Sequence, residues 1–235
     1  MARLPRWVTW ASWVVPALLT LSITRAAESS PPAPGTGASH TNLLRQIGPG
    51  SFQLGKVRFD KKERTVRFPA VVNQAKGPIE YLIVTSYGKI HESLLRTDAE
   101  PYHIQLALLL LGAKGAGTNA FPDDEAHPLP GEAVTIEFNW KMRSKETHAA
   151  AEQFIDNVET KSRMSPGNWV YNGSRIFNGA FMAQQDGSIV SVMVDADALI
   201  NNPRPGREND KIWLVHTAGL PPLNTPLEVV IRIRP

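Results

Sequence analysis

The chain has 235 residues, a formal net charge of +3 and no cysteine. Without cysteine it cannot form disulfides, thiol nucleophiles, thiolate zinc sites, iron–sulfur clusters or haem thioethers. These exclusions identify no cofactor, which remains unknown from the sequence. Any protein-bound metal must have histidine and carboxylate ligands.

The first residues have the layout of a secretory signal peptide. Arg3 and Arg6 precede an uncharged apolar run at 7–23, and small residues follow it. This layout predicts a signal peptide at 1–26 and export to a periplasm or to the extracellular medium, with no membrane span after cleavage. An N-terminal membrane anchor is the alternative, although Pro16 interrupts the short run.

The basic charge of the chain belongs to this leader. Three of the 25 basic residues lie within 1–26, which contains no acid, so 22 basic residues face 22 acidic ones in the remainder. A nucleic-acid partner requires a clustered basic surface. We therefore expect no nucleic acid as a partner.

A change of composition divides the rest of the chain. Residues 27–50 are rich in proline, glycine and serine, which indicates a flexible spacer. Residues 51–235 have a globular composition without a second break, which predicts a single domain.

Strand patterns dominate the beginning of that domain. Residues 57–59 and 65–68 flank a charged turn and predict a hairpin. Residues 79–85 and 89–95 flank a Tyr-Gly pair and predict a second hairpin.

Two helices are predicted among the strands. One covers about 98–111, where proline in the first turn precedes an almost wholly apolar run typical of a core helix. The second covers about 147–158.

Residues 134–140 alternate as a half-buried strand should. Later strands are predicted at 169–171, 180–184, 189–194, 212–215 and 227–233, and Trp140, Trp169 and Trp213 are assigned to the core.

This order of elements favours an α+β fold, in which mainly antiparallel strands pack on the core helix at 98–111 and on the helix at 147–158.

Four strings together resemble the YdjY-domain family: GKIHESLL, PYHIQLALLLLG, WVYNGSR and DADALINNPRPG. The resemblance covers about residues 52–233, and it implies an exported bacterial protein with one domain but no particular activity. Some members of that family carry ferredoxin-type cysteine motifs. This chain has none, so the resemblance implies no electron-transfer role here.

The first candidate site surrounds the start of the core helix. His91, Glu92, Ser93 and His103 are candidate catalytic residues, and His91 with His103 are candidate metal ligands. Neighbouring strand residues point to opposite faces, so His91 and Glu92 cannot readily share one ion.

Acyl transfer by the same cluster is an alternative. Ser93 would be the nucleophile, a histidine the base and Asp98 its orienting group, but the chain has no Gly-x-Ser-x-Gly motif.

A second candidate site is the ligand-binding turn Asn172, Gly173, Ser174 and Arg175, where glycine allows backbone amides to approach an anion. The simpler interpretation is a structural turn at a strand end.

Two functions follow. The favoured one is an exported, non-catalytic module of the bacterial envelope that binds an envelope protein or a small ligand. The alternative is a cysteine-free, metal-assisted hydrolase that uses His91 and His103.

Overall fold

The computed structural model describes residues 44–117, 121–122 and 124–234. The strands are β1 (Leu44–Gly48), β2 (Ser51–Leu54), β3 (Val57–Asp60), β4 (Thr65–Val72), β5 (Tyr81–Thr85), β6 (Ser93–Thr97), β7 (Glu132–Met142), β8 (Lys145–Ala150), β9 (Ile155–Asn157), β10 (Ser162–Arg163), β11 (Trp169–Tyr171), β12 (Ile176–Phe177), β13 (Ala180–Phe181), β14 (Ser188–Ser191), β15 (Ile200–Asn201), β16 (Trp213–Val215) and β17 (Pro226–Ile233). The helices are α1 (Pro101–Leu110) and α2 (Met182–Asp186), with 3-10 turns at Ile90–Glu92 and Ala151–Phe154.

Eight strands close into a ring in the order β4, β17, β7, β11, β15, β14, β5 and β6, because β6 pairs back onto β4. The pairs β5–β6 and β14–β15 are parallel, and the other pairs of the ring are antiparallel. Closure leaves no unpaired edge within the ring, which removes a common route to aggregation.

Two extensions leave the ring. Strands β3, β2 and β1 continue the sheet outward from β4, and β8 continues it from β7. Strands β10, β9 and β16 form a small separate sheet, and β12 pairs only with β13.

Alternation along the central strands fills the interior of the ring. Phe68 of β4, Phe138 of β7 and Val229 of β17 lie opposite one another and are buried. The assignment of Trp140, Trp169 and Trp213 to the core is confirmed, since each is at most 6% exposed. We call the side of β4, β17 and β7 that points away from this core the outer face.

The α+β prediction is wrong, because the described chain is mostly strand and the sheet closes on itself rather than on helices. The helix predicted at 98–111 exists as the shorter α1, with Glu100 as its N-cap. It is not buried all round, since Tyr102, Leu109 and Leu110 are exposed.

The helix predicted at 147–158 does not form. Arg143 and Ser144 have positive φ angles of 48° and 68°, and they turn the chain so that β8 pairs with β7. A 3-10 turn and β9 follow. Pairing with a long neighbouring strand outweighs the helix propensity of the alanine-rich segment.

The hairpin predicted at 79–85 and 89–95 is also wrong. Strands β5 and β6 pair in parallel, with Tyr81 opposite Ser93, so residues 86–92 carry the chain back to the start of the strand. The hairpin predicted at 57–59 and 65–68 is confirmed as β3 and β4.

The predicted signal peptide at 1–26 lies outside the described residues, as does the spacer up to residue 43. The last residues of the predicted spacer are described, and residues 44–48 among them form β1. Within the described chain, neither helix is long and apolar enough to cross a membrane.

Candidate functional site

A continuous groove crosses the outer face of the sheet. It consists of four concavities of about 420, 660, 140 and 290 Å³, each of which shares lining residues with the next. The first two share Asn139, Trp140, Lys141 and Glu228, the second and third share Lys56, Pro69 and Pro226, and the third and fourth share Ser86, Thr97 and Asp98. The groove thus runs from β8 across β7, β17 and β4 to the loops that flank β6.

The strand register builds the floor at the β8 end. Pro69 lies opposite Glu228, Glu228 opposite Asn139, and Asn139 opposite His148. Directly opposed residues of antiparallel strands project from the same face, with Cβ atoms about 5 Å apart. These four side chains therefore form a row across four strands, at right angles to the strand direction.

Ion pairs hold the charged side chains of this floor. Glu228 accepts bonds from Arg58 at 2.5 Å and from Arg67 at 3.2 Å. Lys141 lies 3.3 Å from Glu146. Each pair is partly exposed, so it orients side chains more than it stabilises the fold.

A second set of polar contacts organises the other half of the groove. Asp98 accepts bonds from the hydroxyl of Ser86 at 2.5 Å and from Lys56 at 3.0 Å, and these two bonds lower the pKa of its carboxyl group. Tyr87 and Gln184 bond each other at the far end.

The charges along the groove balance. Its lining contains four basic residues and four acidic ones: Lys56, Arg58, Arg96 and Lys141, and Asp98, Glu100, Glu146 and Glu228. A polyanion or polycation gains little from such a lining, whereas an uncharged or charge-balanced chain finds donors and acceptors along its whole length.

Some polar groups in the groove have no hydrogen-bond partner among the described residues. Trp140 lines it, and its indole Nε1 is buried without an acceptor. The side chains of Asn139 and His148 make no hydrogen bond with described residues. The side chains of Asn139 and His148 are therefore the donors and acceptors that the floor offers to a ligand, whereas the buried indole N–H of Trp140 is inaccessible.

The sequence-predicted cluster is divided by β6. His91 and Glu92 lie in the 3-10 turn before that strand, with His91 78% exposed and its Nε2 3.7 Å from Glu92. Ser93 is fully buried, and its hydroxyl donates to the carbonyl of Leu95 at 2.8 Å. That hydroxyl is therefore inaccessible to an acyl substrate.

His103 lies beyond the other end of β6, on α1, where its ring packs against Gly55. Strand β6, which is five residues and about 16 Å long, lies between the two histidines along the chain. The structure does not bring the two candidate metal ligands together. Among residues 44–117, 121–122 and 124–234, no three His, Asp or Glu side chains are grouped as a metal site would require.

The turn after β11 is tied into the fold. Asn172 is buried, donates to the carbonyl of Pro130 and accepts from Asn201. Ser174 donates to the carbonyl of Asp197 at 2.7 Å. These bonds occupy Asn172 and Ser174 within the protein, as expected of a structural turn.

Gly173 and Arg175 complete this turn. The backbone N–H of Gly173 donates to the carbonyl of Leu199 at 3.0 Å, so it too is occupied. Arg175 binds the carboxylate of Asp197 through two nitrogens. Its side chain is 57% exposed and stays accessible to a ligand.

Two titratable groups that sequence reasoning missed flank the β5–β6 connection. Burial is the main cause that raises the pKa of Glu80, and repulsion from the neighbouring Glu92 is the second. Burial likewise raises the pKa of Tyr81 to about 12, with the charge of Asp195 as the second cause. The hydroxyl of Tyr81 lies 3.0 Å from the carboxylate of Asp195. No local motif joins these residues, since Tyr81 and Asp195 are 114 positions apart.

His216 and Asp156 form a second unpredicted pair. Nδ1 of His216 lies 3.0 and 2.9 Å from the two carboxylate oxygens. Its Nε2 is buried without a hydrogen-bond partner among the described residues. The pair links β9 to the residue that follows β16.

Sequence reasoning also missed the groove. The alternation at 134–140 could have placed Asn139 outward, but the helix predicted at 147–158 concealed His148. Glu228 and Arg58 are 170 positions apart, so no local pattern joins them.

The family model of the YdjY domain matches residues 57–232. No curated protein and no solved structure matches the chain.

Proposed function

From the premise that the chain belongs to the YdjY domain family, we propose that it is an exported, non-catalytic binding module of the bacterial envelope. Its ligand is an extended polar chain that lies along the groove. The observation that carries this proposal is the continuity of the four concavities from β8 to Gln184.

The shape of the groove supports an extended ligand rather than a compact one. Small-molecule sites are usually enclosed and mostly apolar. This groove is shallow, crosses four strands and offers polar side chains throughout. A chain-like ligand can make many weak contacts along such a groove, whereas a small ligand would bury little of its surface there.

The charge pattern supports a ligand without strong net charge. Each carboxylate on the floor faces a base, as Glu228 faces Arg58 and Glu146 faces Lys141. Neutral oligosaccharides and charge-balanced peptides of the cell envelope have this chemistry. Anionic polymers do not, because they would meet as many acids as bases.

Filling the floor of the groove tests the proposal. Asn139→Trp places a large side chain on the outer face, where the side chain of Asn139 makes no hydrogen bond with described residues. We expect binding to soluble cell-wall glycopeptide fragments to weaken at least about tenfold, equivalent to about 1.4 kcal/mol. Isothermal titration calorimetry against fractionated fragments measures the effect.

Glu137→Trp is the matched control, since Glu137 lies two residues away on the same face of β7 but outside the groove lining. It should bind as the wild type does. If both variants bind equally, or if no envelope fraction binds the wild type, the groove is not the binding site.

A further inference from the structure

Strand β8 has an unpaired edge within the described chain. The backbone N–H of Arg234 bonds the carbonyl of Ala133, so odd-numbered residues of β7 bond β17. Even-numbered residues of β7 then bond β8, which pairs Trp140 with Thr147. The N–H and C=O groups of Glu146 and His148 consequently point away from β7, and no described strand accepts them.

The side chains at this edge are complementary to themselves. Glu146 and His148 flank Thr147 and project from the outer face, where the side chain of Glu146 is 82% exposed. If a second β8 runs antiparallel with Thr147 opposite Thr147, each Glu146 lies opposite His148 of the second copy. Both acid–imidazole pairs then form at once, about 5 Å apart at Cβ.

We propose that β8 is the interface of a two-fold symmetric dimer of this chain. Glu146 and His148 of one copy exchange backbone hydrogen bonds with His148 and Glu146 of the other, which gives four new bonds. In each copy, seven neighbouring strands follow the order β1, β2, β3, β4, β17, β7 and β8. The two sets join through β8 into one continuous sheet across the two-fold axis. Such isologous contacts are the commonest form of protein assembly.

A second copy fits this edge better than an unrelated strand does. Lysine and other charges on an edge strand normally repel strand addition. Here the partner must place a base opposite Glu146 and an acid opposite His148, and the antiparallel β8 does both. The pattern excludes most foreign strands while it accepts its own copy.

The dimer lengthens the groove. The row that ends at His148 in one copy continues into Glu146 and Lys141 of the other, because all these side chains lie on the outer face. The joined groove bears on the proposed function, but the assembly itself does not depend on it, since it is measured without any ligand.

Charge exchange at the interface tests the proposal. Glu146→Lys places a base opposite His148, and His148→Glu places an acid opposite Glu146. Because each change acts twice in the dimer, either one should raise the dissociation constant about tenfold or more. The combined variant E146K/H148E restores opposite charges and should return the constant to within about threefold of the wild type. Sedimentation velocity over a concentration series measures the dissociation constants of the wild type and the three variants. Each protein is expressed from the full coding sequence.

His148→Pro provides an independent test of the backbone contacts. The backbone N–H of His148 points away from β7. Proline at this position therefore removes a donor of the interface without removing a hydrogen bond between β7 and β8. We expect this variant to sediment as a monomer and, at a concentration where the wild type is also monomeric, to have an unchanged melting temperature. Asp210→Lys alters an exposed residue off β8 by the same charge as Glu146→Lys and should leave the dimer intact.

A wild type that is monomeric at every concentration overturns the proposal. So does a dimer that withstands both single charge reversals and His148→Pro, since that dimer must use another surface.

Discussion

Gly55, at the tip of the β2–β3 hairpin, illustrates how single residues constrain this structure. Its φ of +56° is costly for residues with a Cβ, and an added Cβ would lie 2.6 Å from Nδ1 of His103. The glycine thus allows the hairpin to turn and α1 to approach it. His103 serves as a packing residue at this contact.

Gly55→Ala should destabilise the protein by about 1–3 kcal/mol, which combines left-handed backbone strain with the clash. Thermal unfolding should show a melting temperature lower by several degrees. Gly50→Ala is the control, because Gly50 also has a positive φ but nothing lies within 4 Å of its added Cβ. If both variants lose the same stability, the contact with His103 contributes nothing.

The two histidines of the hydrolase alternative can be tested directly. His91→Ala with His103→Ala should leave the zinc content of the purified protein unchanged, because β6 holds the two rings far apart. Elemental analysis by mass spectrometry measures it, with His127→Ala as the control. Stoichiometric zinc in the wild type that disappears only in the double variant would favour the hydrolase.

At the scale of elements, the β5–β6 connection concentrates charge. Lys89 lies 3.7 Å from Glu80 and 3.4 Å from Glu92, and its ammonium group sits over the ring of Tyr81. The parallel crossover creates this cluster by returning Glu92 to the level of Glu80. A hairpin, which the sequence predicted here, would have separated the two acids.

This cluster predicts a pH dependence. Because the pKa of Glu80 is raised in the folded state, its contribution to stability falls as pH rises above the ordinary carboxyl range near about 4.3. Glu80→Gln should therefore be more stable than the wild type at pH 7, by less than about 1 kcal/mol, and the difference should vanish toward pH 4.

Urea unfolding at pH 7 and pH 4.5 measures this difference, and Glu137→Gln controls for the loss of one exposed carboxylate. A Glu80→Gln variant that is less stable at pH 7 would show that attraction to Lys89 outweighs burial and repulsion from Glu92.

At the scale of the whole molecule, the groove crosses both the closed ring and the strands that extend from it. Strand β4 pairs with β3 through its first half and with β6 through its second, while β7 pairs with β11 and then with β8. The sheet therefore branches at β4 and β7, the two strands that flank β17. The groove crosses these three strands, and β8 at one end offers the edge for a second copy.

The sequence alone determined much of the local structure. Strand patterns located β3, β4, β7, β11 and β17, and the run after Pro101 located α1. The burial of Trp140, Trp169 and Trp213 also followed from strand patterns. These features depend on neighbouring residues, whose periodicity is set by the geometry of a strand or helix.

Only the tertiary structure decided the rest: the pairing of β6 with both β4 and β5, the strand at β8 in place of a helix, and the row from Pro69 to His148. Each depends on which distant strand supplies the hydrogen bonds and with which register. Glu228 pairs with Arg58, which is 170 positions away, and the periodicity within each segment does not predict this contact. Local pattern fixes which face of a strand is apolar, whereas strand partners are chosen by the packing of the whole core.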